Sequence, residues 1–270
     1  MRSVEGALLD FRQLERLAER DSPLHHVDAR AKILATLVFI ICVISLGRYQ
    51  LAALFPFFIF PVVLIAGGGL PVRYLVSKIL LVIPFVLVVG IFNPLLDREI
   101  VAIAGPVQIS GGWISFFSIV LRSLLTVASA LILVSLTGFP ALCRGLAQLG
   151  LPKVFVAQLL FLYRYLFVLA EEAARLKLAR DQRCFGGKGT GLASFGTMIG
   201  HLLLRSWERA ERVYRSMLSR GFAGEFHCPS GSSFGVGDTL FLLGWGLLLL
   251  AIRLYDPARL LGLLLTGGVQ

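Results

Sequence analysis

The chain has 270 residues, 57% of them apolar and only 16% charged, with a formal net charge of +10. A mean hydropathy of +0.82 excludes an ordinary soluble globular domain. The positive charge would suggest nucleic acid in a soluble chain; with this hydropathy it reads as basic loops on the cytoplasmic side of a membrane. From about Phe11 to Arg20, charges alternate around Leu14 and Leu17, which predicts a short surface helix before a turn at Asp21-Ser22-Pro23. The first 30 residues contain no uninterrupted apolar core, so the first membrane segment is expected to be the targeting signal.

After Lys32 an apolar run reaches Leu46, and a second extends from Leu51 to Ala66 beyond a polar break at Gly47 to Gln50. These are the first two expected spans, with a kink in the second at Pro56 and Pro61. Gly67-Gly68-Gly69, Pro71, Arg73 and Lys78 form a basic turn. A third span follows from about Ile79 to Phe92, short enough that it must tilt or borrow residues from Tyr74 onward. Asn93-Pro94 and Gly105-Pro106 bracket a loop, and a fourth span runs from near Trp113 to just before Pro140. Arg122 lies within that span: it is either an intramembrane polar site, or a side chain that snorkels or pairs with a carbonyl.

Between Pro140 and Glu225 there are 13 Lys or Arg against six acids, which places this block in the cytoplasm with the N-terminus. Val154 to Ala170 is apolar enough to span, but crossing would export the arginine-rich remainder. A long amphipathic helix from about Lys153 to Arg183 is therefore expected, roughly 45 Å in length. From about Ala193 to Gly221, Ile199, Leu202, Leu203, Ser206, Ala210, Val213, Tyr214 and Met217 share one helical face. Arg205, Glu208, Arg209, Arg212 and Arg215 lie opposite. Glu208 to Arg212 and Glu211 to Arg215 are acid-first i,i+4 pairs that support the helix. A fifth span covers about Thr239 to Ile252.

The fold class is therefore all-α: a polytopic membrane protein with about five transmembrane helices and long amphipathic helices between the fourth and fifth. Residues 1–139 hold the N-terminal segment and four spans, 140–225 the cytoplasmic helices, and 226–270 a loop and the last span.

Both cytoplasmic helices end on an arginine near glycine: Ala179-Arg180-Asp181 precedes Gly186-Gly187, and Ser219-Arg220 precedes Gly221. Either these are helix ends, with arginine opposing the dipole and glycine capping, or the arginines insert into acidic grooves on partner proteins. Together with Asp21-Ser22-Pro23-Leu24-His25, Asp28, Arg30, Ala31 and Lys32, they resemble the CbiQ family. That family is the transmembrane coupling component of energy-coupling factor (ECF) transporters for cobalt or nickel.

The resemblance implies a scaffold joining two ATP-binding-cassette ATPase subunits to a separate membrane protein that captures the metal ion. Ala179, Arg180, Asp181, Ser219, Arg220 and Gly221 would then contact the ATPases. The motifs read Ala-Arg-Asp and Ser-Arg-Gly where such families often show Ala-Arg-Gly, which leaves the flanking positions less defined than the arginines.

No catalytic residue, cofactor or nucleic-acid partner is expected. Gly186-Gly187-Lys188-Gly189-Thr190-Gly191 lacks the spacing of a phosphate-binding loop, so ATP hydrolysis falls to a partner. His25-His26 and His227-Cys228 are adjacent pairs rather than i,i+4 ligands, and Cys42, Cys143, Cys184 and Cys228 are scattered singly, so no metal site is expected. The alternatives are a coupling subunit of a vitamin importer, a membrane enzyme at the lipid interface, and a basic surface for lipid or nucleic acid. A membrane enzyme predicts intramembrane carboxylates or histidines, of which the spans contain essentially none.

Overall fold

A computed structural model describes residues 15, 17–18, 22–47, 50–92, 100–104, 107–183, 191–222 and 234–255. The chain divides into two compact units. One comprises Leu17–Gly138 with Ser232–Gln270, the other Met1–Arg16 with Phe139–Gly231.

The first unit is a bundle of apolar helices. Helix α1 (Ala29–Ile44) begins where the Asp28 carboxylate accepts the Arg30 backbone N–H at 2.9 Å, an N-cap that satisfies one of the free donors at the helix start. The expected kink of the second span takes the form of a change in helix type. Ala52–Phe58 is a 3₁₀ segment containing Pro56, and α2 (Ile59–Gly68) continues it with Pro61 in its first turn, where the missing N–H costs nothing. Gly69, at φ 59°, ends α2: its N–H donates to Ala66 and the Leu70 N–H to Ile65.

Helix α3 (Val72–Gly90) starts seven residues before the expected Ile79, so the third span does borrow the basic turn. Its 19 residues reach about 28 Å, close to the hydrocarbon thickness of a bilayer. In the loop that follows, β1 (Ile100–Ala104) pairs antiparallel with β2 (Val107–Ser110), a hairpin that the sequence reading passes over. Helix α4 (Gly111–Thr137) and the final helix, α8 (Val236–Tyr255), complete the bundle.

Its core is aromatic. Phe39 of α1 is fully buried, stacks on Phe60 at 4.5 Å and meets Phe57 edge-on at 6.1 Å; Trp245 of α8 meets Phe60 edge-on at 4.9 Å. Small residues allow close approach: a Cβ on Gly90 would lie 3.0 Å from the Phe116 ring, and one on Gly68 would collide with Leu136. Leu81 and Phe85, by contrast, are more than 70% exposed, which is sensible only where the solvent is lipid. Leu17, expected on a surface helix, is buried in this core.

The second unit contains α5 (Phe139–Gln148), α6 (Lys153–Arg183) and α7 (Leu192–Leu218). Helix α5 closes at Gly150, whose φ of 109° lets the Leu151 N–H reach back to the Leu146 carbonyl. Phe139 stacks on Tyr163 at 4.8 Å, fastening α5 to α6.

Among the described residues, four helices are long and apolar enough to cross a membrane: α3, α4, α6 and α8. The apolar segment Ala52–Gly68 is shorter. Length and composition therefore leave the expected ambiguity of α6 in place, because its first half is as apolar as a span.

Candidate coupling site

The two long helices of the second unit match their expected extents closely: α6 covers 31 residues and α7 covers 27. At 1.5 Å per residue they are about 46 Å and 40 Å long. The pairs Glu208–Arg212, at 3.9 Å, and Glu211–Arg215 are both formed on the solvent side of α7.

The face that α7 turns toward α6 differs from the predicted one. Met198, Leu202, Ser206, Arg209, Val213 and Met217 are half-buried, while Ile199, Leu203 and Tyr214 stay exposed. The stripe is rotated because Arg209, expected on the polar face, reaches across to α6. Its Nη2 donates to Glu172 Oε2 at 3.0 Å, and Arg205 Nη1 donates to Oε1 of the same carboxylate at 3.4 Å. Glu172 is buried, its side chain only 11% exposed. A buried carboxylate must be paired, a requirement that apolar periodicity alone does not register.

Beside this clamp a groove of about 460 Å³ runs between the helices. Phe161, Tyr165 and Leu169 line it from α6, and Leu203, Trp207 and Val213 from α7.

The two arginine-bearing ends are not equivalent. Arg180 sits inside the last turn of α6, which continues to Arg183. Its guanidinium is half-buried, lies 3.5 Å from the Asp181 carboxylate, and keeps an unsatisfied buried Nε. Arg220 instead lies past the end of α7 and is exposed. Gly221 has φ 78°, so its N–H donates to Leu218 at 2.9 Å and the Phe222 N–H donates to Met217 at 3.0 Å. That pair of bonds caps the helix and holds Arg220 on a defined turn. Ala179, Asp181 and Ser219 are exposed. Gly186-Gly187, the Gly186–Gly191 run as far as Thr190, and His227-Cys228 lie outside the described residues.

Arg122 caps α1. Its Nη2 donates to the Leu46 carbonyl at 2.9 Å and to Gly47 at 3.3 Å, and Nη1 approaches Ile44 at 3.5 Å. Arg253 joins it, donating to the Ser45 carbonyl at 3.1 Å. Two cations thus meet the negative end of one helix.

The Asp28-to-Lys32 segment is a knot that sequence reading treats only as a motif. Asp238, at the start of α8, accepts the Asp28 backbone N–H at 2.7 Å and that of Gly235 at 2.8 Å. Buried Lys32 donates to the carbonyls of His25, at 3.2 Å, and Leu136, at 3.4 Å. His25 is itself held between Ser22 Oγ at 2.6 Å and the Leu17 carbonyl at 3.0 Å. The lone acid in the first turn of an apolar helix was the available signal for Asp238. Among the described residues no group of three or more His, Cys, Asp or Glu could hold a metal ion.

A lipid-facing bundle joined to a pair of long, basic, partly unpartnered helices defines a multi-pass cell-membrane protein of the kind that serves as the membrane component of a transporter. The chain belongs to the cobalt transport protein family CbiQ, whose sequence profile matches residues 20–228.

Among its relatives, an uncharacterised protein of Methanocaldococcus jannaschii is 33% identical over 105 residues, 38% of this chain and 39% of that one. The putative fused cobalt transport protein CbiMQ of Methanocorpusculum labreanum is 32% identical over 111 residues, 40% of this chain and 18% of that one. The energy-coupling factor transporter transmembrane protein EcfT of Heliobacterium modesticaldum is 26% identical over 220 residues, 76% of this chain and 81% of that one. The first two alignments thus span less than half the length of those relatives.

Proposed function

We propose that this chain is the coupling subunit of an ECF-type importer. It would transmit ATP-driven motion from two ATP-binding-cassette ATPases to a membrane partner that captures the substrate, with cobalt or nickel as cargo. The observation that carries this reading is the pair of long helices, α6 and α7, each bearing an arginine at its C-terminal end. Such an end is a rigid lever tip, and guanidinium pairs bidentately with carboxylates in an acidic groove. The excess of basic residues in 140–225 favours a cytoplasmic location, where the ATPases work.

The site residues on this reading are Ala179, Arg180, Asp181, Ser219, Arg220 and Gly221. Arg220 is already displayed. Arg180 would exchange its loose contact with Asp181 for a carboxylate on the partner. Closure of the ATPases on ATP would pull both tips, and α6 and α7 would carry the movement to the substrate-capturing protein.

The test is a detergent pull-down of the tagged chain co-expressed with candidate ATPases, comparing native protein with Arg180→Glu, Arg220→Glu and the double change. Retention by the native chain and release by the double change, with the chain still folded, is the expected result. Retention unaffected by charge reversal removes the arginines from the interface. Uptake of radiolabelled Co²⁺ and Ni²⁺ by cells carrying the complete complex then decides the cargo, and uptake of neither returns the vitamin-importer alternative.

A further inference from the structure

The clamp at Glu172 has a geometry that simple helix packing does not require. One carboxylate uses each of its oxygens on a different arginine, and the two arginines stand one turn apart on α7. The other charges on this stretch of α7 are engaged elsewhere: Arg212 with Glu208, and Arg215 with Glu211. The apolar contacts beside the clamp leave a 460 Å³ groove, with Leu203 and Trp207 still exposed. Apolar contact is non-directional and tolerates sliding of one helix along the other. A forked ion pair does not, since a 1.5 Å shift that shortens one of its arms lengthens the other.

We propose that Glu172 is the positioning residue that sets the register between α6 and α7, so that the two arginine-bearing ends move as one lever. This deepens the coupling reading and rests on it for its functional consequence. Arg209, the closer and less exposed partner, is the fixed arm, and Arg205, with a side chain 58% exposed, is the steadying one. Removing the carboxylate charge leaves two partly hydrated arginines rather than a buried orphan charge, so the chain is expected to fold. What it loses is the register.

The experiment reads register and coupling separately in the full-length chain. Spin labels are placed at Arg183→Cys and Ser219→Cys, with the four native cysteines replaced, and the distance distribution is measured by pulsed electron resonance in detergent. The native background is expected to give one narrow distribution, and Glu172→Gln a distribution at least about twofold broader. Arg205→Gln, which leaves the Arg209 arm intact, should fall between them, and Glu172→Asp, which keeps the charge, should restore much of the narrowing. In the assembled transporter, Glu172→Gln should retain the ATPases yet lower metal uptake per ATP hydrolysed about tenfold, with Glu172→Arg/Arg209→Glu recovering part of the loss.

An unchanged distance distribution in Glu172→Gln overturns the proposal, whatever the uptake. So does a broadened distribution with undiminished uptake per ATP. If Glu172→Gln does not fold, Arg205→Gln and Glu172→Asp decide by the same two readouts. Failure of the native chain to retain any ATPase would instead sink the coupling reading, and the label distances would still decide whether Glu172 sets the register.

Discussion

Gly221 offers the most direct test of whether the end of α7 works as a rigid tip. Two backbone bonds of the turn beyond the helix depend on the left-handed conformation of Gly221: Gly221 N–H to Leu218 and Phe222 N–H to Met217. At a net value of about 1 kcal/mol each, they hold the turn by about 2 kcal/mol. An alanine at φ 78° costs roughly 1–2 kcal/mol, which leaves the turn near balance and lowers the share of molecules presenting Arg220 about twofold. A β-branched valine, at roughly 3 kcal/mol, makes the turn unfavourable by about 1 kcal/mol and lowers that share about sixfold. Asparagine tolerates this backbone region and should behave nearly as glycine.

Apparent affinity falls with the competent share, so titrating a purified ATPase subunit against the four chains should order them Gly, Asn, Ala, Val. No Cβ clash contributes, because nothing lies within 4 Å of the added atom. Thermal unfolding should barely change across the series. Native affinity in Gly221→Val would refute the reasoning, and so would Gly221→Asn binding as poorly as Gly221→Val.

Arg122→Met should lower stability in detergent by about 1–2 kcal/mol by freeing the carbonyls at the end of α1, while Arg122→Lys, a point charge without the fork, should lose less; thermal unfolding would show the order. Asp238→Leu removes both N–H acceptors at the start of α8 and should cost about 2–4 kcal/mol. Asp238→Asn keeps one acceptor and should cost less, and equal melting temperatures for the two would contradict the capping role. Gly68→Ala should cost about 1–3 kcal/mol by pressing on Leu136, and the double change with Leu136→Ala should cost less than the sum of the two singles; strictly additive losses would place the strain elsewhere.

Hydropathy and helical period are one-dimensional signals, and what they govern was legible. The long α6 from Lys153 to Arg183, the acid-first pairs on α7, and the apolar helices near each expected span all follow from composition and spacing. The β1–β2 hairpin between Asn93 and Gly112 is not legible in the sequence because its strands are too short for alternation to stand out from a loop. Helix α3 begins seven residues before its apolar run because a helix end tolerates the charges at Arg73 and Lys78, which in the sequence resemble a loop.

For the site, the arginines were legible and their surroundings were not. Whether Arg180 projects or folds back on Asp181 depends on where α6 stops, and helix ends are the least determined part of any periodic pattern. Glu172 and Asp238 could be seen as residues but not as partners. Glu172 finds Arg205 and Arg209 at separations of 33 and 37 residues, and Asp238 meets Asp28 across 210.

The sequence by itself determined that the chain lives in lipid, where the long helices lie, and which family it resembles, because each depends on neighbours within a few turns. Only the tertiary structure decided which face of α7 turns inward, what Arg122 holds, and which carboxylate joins the two long helices. A buried charge is settled by whatever opposite charge the fold brings within about 3 Å, and no local pattern encodes that distance.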